Sequence, residues 1–513
     1  MTAEYIVDVP YVRNFVGSLA PPTLRLVAAL NGLPAPPEAD FDYCELGSGN
    51  GDTIATLAAA NPEARFVGVD FNAEHVAFAN GLASRTGLGN VRFLQMDFDD
   101  LGSSELSTLD FLVLHGVWSW VSAAKRRAIL AFARERLKPQ GLLCVSYNAL
   151  PGWAALEPLR RLLRSHAESV PGSTIDRARA GVAFVERLAA ANAGYFAQHP
   201  TARSMLDMIR KGGLPYVAHE YFGAEWQPMY FADVAREMAE HGLGYVGQAP
   251  LHLNVPALAL PPSMIDLGKA ARDRIGLETL KDFAANEFFR TDVYTLGKVE
   301  RSQREKAFYF EGTPFGTLAA PGHVHRQCKL PNYTLDYTGP VYEAVLAAIA
   351  SRPATAMELA MRPELVMTSQ AQLGSCLLNL ALGGQVVPMR PAPEASSAGT
   401  KLTMASAYND RALEQALSSD GPPVLASPVA GTGVQLSLAD ALALRLLLDV
   451  APTERAAWVE AYATRLTLPF TIGDRVVRDA RELVELAAHR VDELSANAIA
   501  KMVELGVLSR TSG

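Results

Sequence analysis

The stretch FDYC (41–44) has the apolar pattern of a buried strand and runs directly into ELGSGNG (45–51), which is followed by the helical pattern DTIATLAAA (52–60). Three glycines therefore alternate at Gly47, Gly49 and Gly51 in a strand-to-helix turn. Without a Cβ, each lets the backbone turn sharply and approach a ligand closely. The helix that opens at Asp52 presents free N–H groups, which favour an anionic group at that point. A turn of this kind restricts the chain to folds in which strands and helices alternate around a sheet.

That alternation continues. RFVGVD (65–70), VRFLQMD (91–97), LDFLVLHG (109–116) and GLLCVSYN (141–148) read as strands, and 73–87 and 122–141 as helices, the latter with Ser122 as N-cap. Strand–helix repetition predicts a mostly parallel sheet covered by helices. With 513 residues, 49% hydrophobic, the chain has room for three or four domains. We expect a core over 1–153, a helical segment over 154–213, a distinct aromatic-rich domain over 214–310, and a helix–helix–helix–strand unit over 335–390 that resembles a winged helix. A Pro/Ser/Ala/Gly-rich linker, RPAPEASSAGTKL (390–402), then leads to a mainly helical domain over 402–513.

Two acids refine the reading of the glycine turn. A dinucleotide fingerprint, GxGxxG, would place a third glycine at 52, where the chain has Asp52, so the pattern is GxGxG instead. Asp70 ends the second strand, where a carboxylate can accept both ribose hydroxyls. Asp97 ends the third, where one can accept from an adenine amino group. Together these features resemble the class I S-adenosylmethionine-dependent methyltransferases, whose acid before the glycines matches Glu45. The segments HGVWSWV (115–121), VSYNALPGW (145–153) and YVAHEYFGAEWQPMYFADVAREMAEHGLGYVG (216–247) are similar to a narrower group that joins this core to a methyltransferase regulatory domain, including the rickettsial protein-lysine methyltransferases.

The resemblance implies an α/β fold: a Rossmann-like class I methyltransferase core followed by helical, winged-helix-like and C-terminal mainly helical domains. It implies S-adenosyl-L-methionine as cofactor, held by Tyr11, Glu45, Gly47, Ser48, Gly49, Gly51, Asp70, Phe71, Asp97, Phe98 and His115. It also implies His115, Trp118 and Tyr147 as groups facing the methyl acceptor, with His115 the candidate proton acceptor. The expected reaction is N-methylation of lysine on a protein acceptor. Two alternatives stay open: a small-molecule methyltransferase whose appended domains serve homodimer formation, and a non-catalytic S-adenosylmethionine-binding regulator.

Composition narrows the partners. Net charge is −8, from 46 Lys+Arg against 54 Asp+Glu, and QAQLGSCLLNLALGG, the would-be recognition helix of the winged-helix-like unit, has no cation. No nucleic-acid partner is expected. No apolar run is long enough to span a membrane, and no signal sequence opens the chain. Cys44, Cys144, Cys328 and Cys376 lie far apart without a CxxC pair, which fits a reducing cytoplasm. His323, His325 and Cys328 cluster, but no second group completes a metal site, so no metal is expected.

Overall fold

The computed structural model describes residues 14–223, 225–320, 322–391, 399, 401–419, 422–466, 470–472 and 475–511. Tyr11 lies outside the described residues. The N-terminal core contains α1 (Pro21–Leu30), β1 (Asp42–Leu46), α2 (Asp52–Ala60), β2 (Arg65–Asp70), α3 (Ala73–Thr86), β3 (Val91–Gln95), β4 (Leu109–Leu114), α4 (Ala123–Arg136) and β5 (Leu137–Asn148). Next come α5 (Glu157–Ala167), α6 (Thr174–Ala190), α7 (Gly194–Gln198), α8 (Thr201–Phe222) and α9 (Phe231–Glu240), then β6 (Leu243–Gln248) and β7 (Phe289–Leu296).

All seven strands join one sheet in the order β3-β2-β1-β4-β5-β7-β6. β1 to β5 pair in parallel, and β7 runs antiparallel between β5 and β6. The sheet thus extends well past Trp153: its last two strands come from the stretch expected to form a separate aromatic-rich domain. β1 and β4 are buried along their whole length, as strands covered on both faces must be. One face packs Leu46, Leu112, Leu143 and Val145 against α4 and α9; the other packs Tyr43, Phe111, Val113 and Cys144 against α1 and α2.

β5 starts four residues before the expected strand. Leu137 pairs with Leu109, whereas Leu142 pairs with Phe111, so Lys138–Gly141 bulges out of the ladder. The bulge takes Pro139, which has no N–H to give, out of a central strand.

α8 is broken at Gly213, whose φ of 77° no helix interior adopts. Helices Pro340–Ser351, Ala356–Ala360 and Gln370–Leu382 and strand Val387–Pro388 follow in the winged-helix-like order. The C-terminal unit carries helices and, unforeseen in the sequence, three short antiparallel ladders: Lys401–Met404 with Leu508–Thr511, Val424–Ser427 with Thr432–Gln435, and Phe470–Ile472 with Arg475–Val477.

This unit sits against α2, the helix opened by the glycine turn. Tyr408 and Thr56 share a hydrogen bond of 2.6 Å, Asn61 donates to the Gly431 carbonyl at 3.0 Å, and Ala55, Ala60, Leu82, Tyr408 and Ala426 form a buried cluster. At the start of the expected linker, Arg390 donates to Asn61 and to the Glu38 carbonyl. Among the described residues no helix is long and apolar enough to cross a membrane.

Candidate active site

Parallel order brings the carboxyl ends of β1 to β5 to one edge, where ligands bind in open α/β sheets. The glycine turn leaves β1 there. Gly47, Gly49 and Gly51 have φ of 77°, 52° and 77°, in the left-handed region that favours glycine. Gly47 and Ser48 donate to the Val69 carbonyl, and Gly51 donates to the Ser48 carbonyl, which fixes the loop. A Cβ on Gly47 would strike Val117 at 2.4 Å and one on Gly51 would strike Phe93 at 2.6 Å. A Cβ on Gly49 would meet none of the described residues within 4 Å, so this glycine faces open space among them.

Asp70 ends β2 beside that opening. One carboxylate oxygen accepts from the Gly49 N–H at 2.8 Å and the other from the Asn72 N–H at 2.9 Å, and His75 lies 3.6 Å away. The acid therefore ties the second strand to the glycine turn while keeping lone pairs for a ligand. Glu45, the last acid of β1, is 5% exposed, and its Oε2 has no hydrogen-bond partner among the described residues. Burial, with Asp52 and Asp70 nearby, pushes its carboxyl up to about 8. Ser48 Oγ is likewise buried without a partner. A donor-rich or cationic ligand part at the turn would satisfy both.

Asp97 caps the short helix Phe98–Ser103 by accepting from the Asp99 N–H. Lys125 donates to both of its oxygens, at 2.9 and 2.7 Å. Partial burial works against ionisation of Asp97, but the Lys125 ammonium prevails and holds the carboxyl below its ordinary range. Lys125 was missed in the sequence. It had one signal: a cation in the first turn of α4 opposes the helix dipole and so needs a carboxylate elsewhere. Phe98 is buried near Gly47, and Phe71 is 38% exposed.

The other half of the edge is built by β4, β5 and β7. His115 Nδ1 and Ser146 Oγ lie 3.0 Å apart, and the same oxygen accepts from the Gly116 N–H. Burial pushes the imidazole down to about 4, so His115 is neutral at pH 7. The Phe289 ring stands edge-on to it, centroids 5.7 Å apart. Trp118 and Tyr147 are placed elsewhere: both are buried in the core on the α4 side of the sheet. The Tyr147 hydroxyl donates to Asp292 at 2.6 Å, and Asp292 is held by Arg290, which also reaches Asp282 and Glu278. Trp120 is half-buried, and its ring closes over Gly223, where a Cβ would come within 3.0 Å.

Residues 214–295 wall this corner. Ala149 bridges to Met229, and the following Tyr230 stacks on Phe283; these two rings are 40% and 57% exposed. Among the described residues no group of three or more His, Cys, Asp or Glu is placed to hold a metal.

Residues 37–186 match the family described as "Methyltransferase domain", and residues 214–295 match "Predicted methyltransferase regulatory domain". An uncharacterised protein of Synechocystis sp., sll1526, is 30% identical over 441 residues, spanning 86% of this chain and 87% of that protein. The uncharacterised Rickettsia prowazekii protein RP789 is 28% identical over 289 residues, 55% of this chain and 51% of that one. The solved structure of PKMT2 from Rickettsia typhi in complex with AdoHcy superposes with a TM-score of 0.72 at 20% identity, covering 97% of this chain and all of that one, and shares the fold. The glycine cradle, the unsatisfied Glu45 and the acid at the end of β2 fit S-adenosylmethionine. The chain belongs to the class I S-adenosylmethionine-dependent methyltransferases that carry a methyltransferase regulatory domain.

Proposed function

We propose that the enzyme N-methylates lysine side chains of a protein acceptor, with the cofactor in the cradle of Glu45, Gly47, Ser48, Gly49, Gly51 and Asp70 and its adenine toward Asp97, Phe98 and Phe71. One observation carries the acceptor assignment. The ring of Phe289, from the regulatory domain, stands edge-on to His115, and the same domain carries the stacked and exposed Tyr230–Phe283 pair. An amphipathic side chain projecting from a large acceptor suits such a surface, and its cationic product is attracted to aromatic faces.

When bound, S-adenosylmethionine supplies a methyl group on a sulfonium, already activated for in-line displacement. The protein's task is then position and dryness. Asp70 and the glycine turn fix the cofactor end, while the Phe289 ring packs edge-on against His115 at the acceptor end. Holding the reacting atoms about 3–3.5 Å apart in line can supply roughly 7–11 kcal/mol. A lysine has an ordinary pKa of about 10.4, so its nucleophilic neutral form is scarce at pH 7. Burial beside a sulfonium lowers that pKa. His115, neutral and hydrogen-bonded to Ser146, contributes shape and polarity without adding a positive charge that would repel the amine. Trp118 and Tyr147 act as positioning residues: Trp118 supports the turn after β4, and Tyr147 joins β5 to the Asp292–Arg290 network of β7.

Labelled S-adenosylmethionine incubated with the protein and a bacterial lysate tests this reading. Label is expected in the protein fraction. Label confined to metabolites would replace the proposal with a small-molecule acceptor.

A further inference from the structure

We propose that a single monatomic anion, a halide such as chloride, binds in the cavity where α1, the winged-helix-like unit and the C-terminal unit meet, held by Arg25 and Tyr309 beside the charge of Arg390.

Three parts of the chain build this cavity. Pro21, Pro22 and Arg25 come from the start of α1, and Tyr309 from the helix Gln303–Gly312. Val429, Ala430 and Gly431 come from the turn that joins strand Val424–Ser427 to strand Thr432–Gln435. Arg390, just past strand Val387–Pro388, completes the lining. Tyr309 is 8% exposed, and its hydroxyl is buried with no hydrogen-bond partner among the described residues. Arg25 Nη1 is buried and unpartnered in the same way. The two groups are close enough to feel each other: burial pushes the Tyr309 hydroxyl up to about 12, and the Arg25 charge works against that rise.

The charges around the cavity ask for an anion. Arg25 and Arg390 are both half-buried, and neither forms an ion pair among the described residues. Arg390 spends its donors on neutral oxygens, the carbonyls of Ala60, Pro428 and Glu38 and the side chain of Asn61. Burial, with the like charge of Arg25, holds the Arg390 guanidinium below its ordinary range, against the pull of Glu38 and Glu63. Glu38 also lines the cavity, but its side chain is exposed to solvent. Buried donors without an acceptor are costly, and so are cations withdrawn from water without a counter-charge. A water would satisfy the donors and leave the charge; an anion answers both.

Size fixes the class of anion. The space open to the centre of a water-sized particle is about 10 Å³. That admits one such particle and no phosphate or carboxylate metabolite. Neutralising the two arginines steadies the junction at which Arg390 and Gly431 hold Asn61, at the end of α2.

Crystals of the full chain soaked in sodium bromide, measured at the bromine edge, test the placement. An anomalous peak is expected between Arg25 Nη1 and the Tyr309 hydroxyl. Paired melts in sodium chloride and sodium gluconate at matched ionic strength test the energetics, since gluconate is too large for the cavity. Wild type should gain about 2–4 °C at ten times the half-saturating chloride concentration. Tyr309→Phe should need about tenfold more chloride for the same gain. Arg25→Gln should lose the gain altogether, yet melt no lower than wild type in gluconate, because an uncompensated charge is gone. A residue that only packs would lower the melt in gluconate as much as in chloride. That result, an absent bromide peak, or equal chloride responses in wild type and Arg25→Gln would each overturn the assignment. A bromide peak without any chloride response in solution would mark an adventitious ion only and overturn it as well.

Discussion

Gly49 and Gly51 share a loop and a left-handed backbone but differ in what surrounds them, and that contrast separates ligand binding from folding. An alanine at either position carries a conformational cost of roughly 1–2 kcal/mol. At Gly51 the new Cβ also lies 2.6 Å from the Phe93 ring and 3.0 Å from Ala79, which adds overpacking of about 1–3 kcal/mol. At Gly49 it meets no atom of the described residues within 4 Å, which leaves room there for a ligand. Gly49→Ala should therefore melt lower only by that conformational cost, less than Gly51→Ala, yet bind S-adenosylmethionine at least about a hundredfold more weakly, about 2.8 kcal/mol. Gly51→Ala should melt clearly lower. Thermal denaturation and calorimetric titration read the two effects separately. Wild-type affinity in Gly49→Ala would refute the placement of the cofactor against this turn, and wild-type stability in Gly51→Ala would refute the packing behind it.

Asp70→Ala removes the acceptor of the Gly49 and Asn72 N–H groups as well as the ribose acceptor, and should weaken cofactor binding at least tenfold, about 1.4 kcal/mol, by titration. Glu45 is raised to about 8 in the folded protein against about 4.3 unfolded. The stability this gives is full below about pH 4.3 and is lost as pH rises through about 8. In the absence of cofactor, wild type should therefore lose stability relative to Glu45→Gln across that window in paired melts. Tyr408→Phe deletes the buried hydrogen bond to Thr56 and should cost about 1 kcal/mol in denaturant unfolding. Truncation after residue 391 uncovers α2 and should lower both melting temperature and cofactor affinity, a result that unchanged affinity would contradict.

The strands of the core were legible because each is a short apolar run closed by an acid or glycine: Arg65–Asp70 was read to the residue. The acids that end β2 and β3 were readable for the same reason, since the end of a parallel strand is where the edge lies. What failed to show was long-range. β7 reads as FRTDVYTL, too polar for a central strand, because Arg290, Thr291 and Asp292 are buried there and Arg290 and Asp292 pair with each other and with Tyr147 and Asp282. The linker composition at 390–402 suggested a loose tether, yet Arg390 is engaged by Asn61 at the end of α2 and by the segment between α1 and β1. One signal was available in α2 itself. DTIATLAAA is apolar on every side, and such a helix must be covered all round; the sheet covers one side and the C-terminal unit another. Trp118 and Tyr147 misled because an aromatic beside a site looks the same in sequence whether it lines the opening or fills the core beneath it.

The central claim is methyl transfer to a lysine nitrogen at the corner of His115, Ser146 and Phe289. Tandem mass spectrometry of lysate proteins methylated by the purified enzyme, with isotopically labelled S-adenosylmethionine, tests it most directly. The account predicts labelled methyl groups on lysine Nε, strongly reduced at subsaturating cofactor when Gly49→Ala replaces wild type. Labelled methyl groups on carboxylates, thiols or other side chains, with lysine unmarked, would contradict it.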